Sequence, residues 1–284
     1  MDLVMRNILV MPGNNPSMLL KAPCFNADGY IFDLEDAVFL KEKDAARRLV
    51  VKHVNKLGYK GCNICVRVNN EKGLLEKDIE AIANLDILAV IVPKCENAQI
   101  IQYVESLLDK YTINKEKKLK IMPVIESGKG VFNIQEIVGA SQNIIVVHFG
   151  AGDYSSSIGA NITKIGNELL FARSMIINAC SIHNILAMDT PCLDLENEEV
   201  LRTEAENSRN LGFSGKIVIN PRQIEIVNKV FTPSEKEIEF AKKIIKALDE
   251  ASSGVISVDG KMIDIAITKK AEKILAIAKR IGVL

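Results

Sequence analysis

The sequence predicts a (β/α)8 barrel, and three features lead to this prediction. Eight short apolar segments recur along the 284 residues, and an amphipathic stretch with helical spacing follows each of them. The segments are rich in Ile and Val without clear polar alternation, which is typical of parallel strands covered on both faces. Eight β-then-α units favour a closed barrel. A doubly wound open sheet is the main alternative, but such sheets usually have fewer strands, and no Gly-x-Gly-x-x-Gly follows the first segment.

The apolar segments define the strands, and the stretches between them define the helices. The predicted strands are Asn7–Met11, Tyr30–Leu34, Asn63–Val68, Ile87–Val92, Lys120–Ile125, Ile144–Phe149, Ile185–Met188 and Lys216–Ile219. The predicted helices are Pro16–Cys24, Lys41–Leu57, Glu76–Asn84, Ala98–Tyr111, Phe132–Ala140, Gly166–His183, Asn197–Leu211 and Arg222–Val230.

The tail after the eighth unit has a different pattern. Pro233–Ser234 can begin a long helix that runs to about Ala251. An extended segment with a turn at Asp259–Gly260 follows, and then a last helix over Ile263–Ile281. We therefore divide the chain into a barrel domain, residues 1–232, and an extension, residues 233–284. We expect the extension to be too small for a core of its own and to pack on the barrel or on a neighbouring subunit.

Composition excludes several classes of function. Apolar residues make up 48% of the chain, and 36 basic residues balance 36 acidic ones. A net charge of zero argues against binding to nucleic acid or to a membrane surface, since both require a basic excess. No apolar stretch is long enough to span a bilayer. The apolar N-terminal segment is too short and too interrupted for a signal peptide, so we interpret it as the first strand.

The cysteines and histidines give little support for a metal or redox centre of their own. Six cysteines are present, and Cys62 and Cys65 form a Cys-x-x-Cys without a second pair at zinc spacing. We interpret this pair as the entry of a strand. The three histidines are scattered along the sequence. A reduced, cytoplasmic protein fits this pattern best.

Polar residues follow the apolar segments, and these are the candidates for chemistry. Active sites of such barrels form where the strands end, at the carboxyl-terminal face. The barrel model therefore brings these residues to one rim. In strand order they are Pro12–Asn15, Asp33–Asp36, Arg67–Asn69, Pro93–Lys94, Glu126–Gly128, Gly150–Asp153, Asp189 and Asn220–Arg222.

Two of these residues suit a divalent cation. Glu126 and Asp153 follow adjacent strands. Mg²⁺ often takes one or two protein carboxylates and leaves its other positions to water or substrate, so we predict that this pair binds Mg²⁺. An Asp after a strand is also a common helix N-cap, which is the alternative interpretation of Asp153.

The remaining candidates suit a carboxylate ligand. We interpret residues 150–153 as a glycine turn in which the amides of Gly150, Ala151 and Gly152 hold a substrate carboxylate. Arg67 can bind a carboxylate as a bidentate fork. The acidic end of the second strand, which includes Glu35 and Asp36, can orient Arg67 or metal-bound waters. The alternative is that Arg67 merely pairs with these acids.

Several segments together resemble one known family. They are "LVMPGNNPSML", "YIFDLEDAV", "RVNN", "IVPKCEN", "MPVIES", "FGAGDY", "ELLFARS", "GFSGKIVINPRQI" and "GKMID", in this order along the chain. The combination resembles the citrate lyase β-subunit family, within the wider HpcH/HpaI aldolase group. The resemblance implies a TIM barrel, dependence on Mg²⁺ and a homo-oligomer, commonly a homotrimer. It also implies cleavage of a citryl thioester, carried on acyl carrier protein or coenzyme A, to oxaloacetate and an acetyl thioester.

The resemblance also implies roles for individual residues. The family's metal ligands correspond to Glu126 and Asp153, and its substrate-binding arginine to Arg67. The aspartate of the C-terminal "GKMID" segment, Asp264, is implied to act catalytically in the site of a neighbouring subunit. One position departs from the family, because Gly152 stands where relatives usually have a glutamate.

Three hypotheses follow for the function. The first is a lyase of the citrate lyase β-subunit type, with other citrate lyase subunits as partners. The segments "ELLFAR" and "INPRQI" favour it. The second is a stand-alone lyase that acts on malyl-CoA or citramalyl-CoA with the same barrel and metal site. The third is a scaffolding subunit that has lost catalysis, which only Gly152 supports.

Overall fold

The computed structural model describes residues 3–71, 73–250 and 256–284, and it confirms the predicted barrel. Eight parallel strands pair in chain order, and the eighth pairs with the first to close the sheet. The strands are β1 (Asn7–Pro12), β2 (Gly29–Asp33), β3 (Ile64–Arg67), β4 (Ala89–Val92), β5 (Lys120–Ile125), β6 (Val146–Phe149), β7 (Leu186–Asp189) and β8 (Gly215–Val218).

Ten α-helices among the described residues surround the barrel. They are α1 (Pro16–Lys21), α2 (Lys43–Leu57), α3 (Leu75–Ile82), α4 (Ala98–Tyr111), α5 (Gly128–Phe132), α6 (Ile134–Gly139), α7 (Ala151–Ile158), α8 (Asn167–His183), α9 (Glu198–Leu211) and α10 (Arg222–Phe231). The helix α7 corrects the sequence interpretation, because residues 151–158 are helical rather than a glycine turn. Its glycine and its three serines have low helix propensity, which hid it in the sequence.

Side chains alternate along each strand between two hydrophobic layers. One set, which includes Ile31, Cys65 and Val124, fills the interior of the barrel. The other set, which includes Phe32 and Val66, packs against the surrounding helices. Because successive side chains point to opposite faces of a strand, the last inward positions carry the polar residues of the mouth.

The extension forms a small unit that packs chiefly on itself. It contains α11 (Glu235–Asp249), the hairpin β9 (Ile256–Val258) and β10 (Lys261–Ile263), and α12 (Ile265–Arg280). A capping box between Ser234 and Glu237 begins α11. Ile244, Val258 and Ile263 belong to a buried cluster within this unit, so the expectation that the tail has no core of its own is wrong. The predicted end of the first tail helix at Ala251 lies outside the described residues.

An ion pair links this unit to a barrel helix. Arg209 Nη2 of α9 lies 2.7 Å from Glu237 Oε1 of α11. In the described ranges, no helix is long and apolar enough to cross a membrane. All six cysteines are free thiols, and the Cys-x-x-Cys spans the entry of β3, as predicted.

The strand β8 passes the segment before β1 at unusually short distance. A Cβ atom added to Gly215 would lie 2.4 Å from the backbone oxygens of both Met5 and Arg6. At Gly29, which also begins a barrel strand, the nearest atom would lie 3.4 Å away, an ordinary contact. Backbone atoms cannot move aside as a side chain can, so only glycine fits at position 215.

We predict that Gly215→Ala lowers the free energy of unfolding by about 1–3 kcal/mol, since overpacking of this kind costs that amount. The matched variant Gly29→Ala is expected to change it by less than about 1 kcal/mol. Urea unfolding followed by circular dichroism measures both. Equal destabilisation by the two variants would contradict the argument from close approach.

Candidate active site

The carboxyl-terminal ends of the strands surround a cavity of about 440 Å³. Arg67, Glu126 and Asp153 line it, together with Gly150, Ala151 and Gly152 at the start of α7. Six of the residues selected from the sequence therefore line the same cavity. Glu35, Asp36 and Asp264 do not occur among the described residues that line it.

Arg67 ends β3 and is held by two carboxylates. Its Nε and Nη2 donate hydrogen bonds of 2.7 and 2.6 Å to the two oxygens of Asp33, which is fully buried. Its Nη1 lies 3.1 Å from Glu35 Oε2. A guanidinium has five N–H donors, so these contacts leave two of them for a ligand in the cavity. Arg67 is thus both paired with the acidic strand end and available to bind.

Glu35 and Asp36 stand behind Arg67. Lys94 Nζ donates a 2.6 Å hydrogen bond to Glu35 Oε1 and lies 3.5 Å from Asp36 Oδ1. Burial raises the pKa of Glu35 more than the charges of Arg67 and Lys94 lower it. Glu35 therefore helps to orient Arg67, which is one of the roles that the sequence suggested for it. Glu35 itself does not line the cavity.

Glu126 follows β5 and is held by the backbone of Lys94. The Lys94 amide donates a 2.6 Å hydrogen bond to Glu126 Oε1, and Lys94 adopts a positive φ of 54° to do so. Among the described residues none donates to the other oxygen, Oε2. Burial raises the pKa of Glu126 to about 7, and the negative charges of Asp153 and Glu35 contribute to the increase.

Gly150 makes room for this carboxylate. A Cβ atom at Gly150 would lie 2.6 Å from Glu126 Oε2 and 2.7 Å from Glu126 Cβ. At Gly152, two residues further along the chain, a Cβ atom would meet nothing within 4 Å. The glycine at 150 is therefore required by Glu126, whereas nothing steric requires the glycine at 152.

The amides at the start of α7 are divided between the protein and the cavity. Gly150 N donates to Ile125 O at 3.0 Å, and Ala151 N donates to Thr190 Oγ1 at 3.2 Å. The amides of Gly152 and Asp153 have no acceptor among the described residues, as expected for the first turn of a helix. The amides available to an anion are thus those of Gly152 and Asp153, rather than those of Gly150 and Ala151.

Asp153 lies in the first turn of α7 and is exposed to the cavity. The N-cap of this helix is Gly150, so the interpretation of Asp153 as an N-cap is wrong. Glu126 and Asp153 together fit Mg²⁺, which takes one or two carboxylates and keeps positions for water and substrate. A cation there would also offset the cost of burying the charge of Glu126. The described residues hold no group of three or more His, Cys, Asp and Glu side chains around a metal position.

Asp264 lies away from the cavity of its own chain. It is the N-cap of α12, where its Oδ1 accepts a 3.0 Å hydrogen bond from Ile267 N, and it is exposed. The chain by itself does not bring Asp264 to Glu126 or Arg67. A role in catalysis requires that the extension of one chain reaches the cavity of another.

Asp189 was expected at the rim and lies elsewhere. Its side chain points outward from β7, where Arg173 of α8 binds it with hydrogen bonds of 3.1 and 3.0 Å. Ser208 also donates to it, and Lys216 Nζ lies 3.6 Å away. Burial by itself would raise the pKa of Asp189, but these cationic neighbours and Ser208 lower it. The alternation of side chains along β7 explains the difference.

His148 was not selected from the sequence, although it lines the cavity. It points inward from β6, is 3% exposed, and its Nε2 has no hydrogen-bond partner. Burial, with a contribution from the charge of Arg67, lowers its pKa to about 3, so the ring is neutral at pH 7. The signal in the sequence that could have identified His148 is its position on β6, two residues before Gly150, because alternate residues of a strand face the interior of the barrel.

A closed (β/α)8 barrel with a carboxylate pair and an anchored arginine at its mouth is the arrangement of a barrel enzyme that acts on a small carboxylate with a divalent cation. Comparison with known proteins narrows this class. The chain belongs to the HpcH/HpaI aldolase/citrate lyase family, whose model matches residues 6–221.

One similar protein and two solved structures illustrate the relationship. The citrate lyase subunit beta of Leuconostoc mesenteroides subsp. cremoris is 39% identical over 280 residues, which cover 96% of this chain and 93% of that protein. A structure of the protein CitE from Mycobacterium tuberculosis in complex with magnesium, acetoacetate and coenzyme A has a TM-score of 0.81 and 26% identity. It covers 99% of this chain and 100% of its own. A structure of a citrate lyase beta subunit from M. tuberculosis, complexed with oxaloacetate and magnesium, has a TM-score of 0.69 and 26% identity, with 81% and 98% coverage.

We predict that Gly150→Ala weakens Mg²⁺ binding by about tenfold or more, because the added methyl group displaces the Glu126 carboxylate, and overpacking costs about 1–3 kcal/mol. Gly152→Ala places the same methyl group in open space and is expected to leave the affinity within about twofold. Isothermal titration with MgCl₂ measures both. If both variants bind Mg²⁺ like the unmodified protein, Glu126 is not a ligand.

Proposed function

We propose that this chain is a Mg²⁺-dependent carbon–carbon lyase that cleaves a citryl thioester to oxaloacetate and an acetyl thioester. The observation that carries the proposal is that Glu126, Asp153 and Arg67 line one cavity, with Arg67 fixed by Asp33. A carboxylate pair for a cation beside a fork for a carboxylate suits a substrate that is a hydroxy acid. The relatives that are named for citrate lyase and crystallised with magnesium and oxaloacetate support the same conclusion.

Glu126 and Asp153 hold the cation in this proposal. When bound, Mg²⁺ supplies positive charge that lowers the pKa of the substrate hydroxyl and stabilises negative charge on the oxygen. Lys94 keeps Glu126 in place through its amide, and Gly150 leaves the space that the carboxylate needs. These contacts fix the position of the Glu126 carboxylate before the substrate binds.

Arg67 and the start of α7 bind the substrate carboxylate. The two guanidinium N–H groups that Asp33 and Glu35 leave free can donate to it. The free amides of Gly152 and Asp153 add donors at a helix N-terminus, where the helix dipole favours negative charge. The hydroxyl of the substrate is thereby directed to the side of Glu126 and Asp153.

The reaction is a retro-Claisen cleavage. The hydroxyl releases its proton to the solvent, the electron pair left on its oxygen forms the keto group of oxaloacetate, and the adjacent carbon–carbon bond breaks. The electrons of that bond pass to the enolate of the acetyl thioester, which takes up one proton. We assign the donation of this proton to Asp264 of a neighbouring chain, since its carboxyl group is exposed where the extension passes from β10 to α12.

This assignment makes the working form a homo-oligomer, which we propose to be a homotrimer. The extension packs chiefly on itself and presents Asp264 away from the cavity of its own chain. The thioester carrier is acyl carrier protein or coenzyme A, and other citrate lyase subunits are further partners in this proposal. We place the protein in the cytoplasm, consistent with its six free thiols.

The proposal predicts thioester cleavage that depends on Mg²⁺ and is abolished by EDTA. Glu126→Ala is expected to lower kcat/KM by more than about 100-fold, since even the outer partners of metal ligands typically contribute about 10- to 100-fold. The control is Glu136→Ala, which removes an exposed carboxylate on α6. A spectrophotometric assay of oxaloacetate release from citryl-CoA measures the rates, with citramalyl-CoA and malyl-CoA as comparison substrates.

Three results would contradict this function. Cleavage that persists in EDTA, or a Glu126→Ala rate equal to that of the unmodified protein, would show that the cation site is not catalytic. Faster cleavage of malyl-CoA or citramalyl-CoA than of any citryl thioester would assign the chain to the second hypothesis.

The role of Asp264 predicts complementation between inactive variants. Glu126→Ala and Asp264→Asn proteins should each be inactive alone, whereas a co-refolded mixture should recover activity, because a chain with intact Glu126 then receives Asp264 from its neighbour. Asn is itself a good N-cap, so Asp264→Asn preserves the start of α12. Sedimentation checks the oligomer of each variant. A mixture that stays inactive would rule out a shared site.

A further inference from the structure

The cavity continues below Arg67 and Glu126 into the barrel. We call this part the floor, and it is formed by inward-facing strand residues that line the cavity. Apart from His148, these residues are apolar: Val10, Ile31, Ile91, Val124 and Ile217. A single polar side chain thus lies in an otherwise apolar lining at this depth.

His148 lacks the hydrogen bonds that a buried imidazole normally makes. It is 3% exposed, and its Nε2 is buried with no partner. Buried polar groups without a partner are rare in folded proteins and cost about 1–3 kcal/mol. Nε2 itself is closed off from the cavity, whereas Nδ1 is not closed off and makes no hydrogen bond among the described residues, so Nδ1 is the ring nitrogen that a ligand in the cavity can reach. The ring is neutral, because burial lowers its pKa to about 3, and a neutral ring offers one N–H donor.

The chemistry of the substrate indicates which group reaches the floor; this step rests on the proposed function. The central carbon of a citryl thioester carries the hydroxyl, one carboxylate and two CH₂ arms. One arm ends in the thioester, and its bulky carrier requires that it leave through the mouth. The other arm ends in a carboxylate and is then directed inward. In a citramalyl thioester this inward group is only a methyl.

We propose that His148 is a specificity-determining residue that donates a hydrogen bond from its ring N–H to the carboxylate of the inward arm. Arg67 is near enough for its charge to act on the His148 ring, so positive charge lies close to this part of the cavity. The charge of Arg67 is already offset by Asp33 and Glu35, so a further donor on the floor adds to the recognition of the anion. An entirely apolar floor would favour the methyl group instead.

The test compares oxaloacetate with pyruvate, the two keto acids that differ in this group. Binding of each to the protein in the presence of Mg²⁺ is measured by isothermal titration. His148→Leu is expected to weaken oxaloacetate binding by about 10- to 100-fold, the usual range for a hydrogen bond to a charged group, and to change pyruvate binding by less than about twofold. His148→Gln keeps a neutral donor and is expected to recover part of the loss. The relative rates with citryl-CoA and citramalyl-CoA should shift in the same direction.

Two controls separate the possible failures. His183→Leu replaces an exposed histidine at the end of α8 and is expected to change neither affinity. If His148→Leu does not fold, as judged by circular dichroism, His148→Met replaces it as the apolar variant. An unchanged preference for oxaloacetate in the apolar variant, or an equal loss of both ligands, overturns the role of His148 alone. An unmodified protein that binds neither keto acid overturns the proposed function as well.

Discussion

The arrangement of the mouth depends on how Lys94 joins two acidic residues. Its side chain holds Glu35, which contacts Arg67, and its amide holds Glu126. Lys94, whose backbone has a left-handed conformation, therefore connects the anion-binding and cation-binding sides of the cavity. Arg67 and Glu126 lie on strands that are not neighbours, and the loop after β4 is what sets the position of one relative to the other. The barrel brings the charged residues to a common rim, and this loop fixes the positions of Arg67 and Glu126 relative to each other.

The same contacts show that the site carries an energetic cost. The burial that raises the pKa of Glu126 to about 7 also means that its charge is unfavourable without a cation. Arg67, in contrast, is neutralised by Asp33 and Glu35 before any ligand binds. The positive side of the site is thus balanced by the protein, and the negative side requires an external charge. Selectivity for a metal-bound carboxylate follows from this asymmetry.

Much of the fold could be predicted from the sequence, because buried parallel strands are continuous apolar runs and the eight runs are well separated. The strand ends also identified Arg67, Glu126 and Asp153 correctly as residues of one cavity. The sequence did not predict α7, since local propensity disfavours a helix that its position at the end of β6 stabilises. Nor could it indicate the role of Lys94, which depends on a backbone amide, or the outward position of Asp189. His148 required knowledge of which residues of β6 face the interior.

The separate packing of the extension has a consequence for how activity relates to folding. The barrel closes on itself through β1 and β8, and the extension has its own buried cluster, so each unit can be complete in an isolated chain. If catalysis uses an acid from the next chain, dilution would dissociate the oligomer and abolish activity while leaving every chain folded. Concentration would then govern turnover through assembly, and a loss of activity on dilution would carry no information about protein stability.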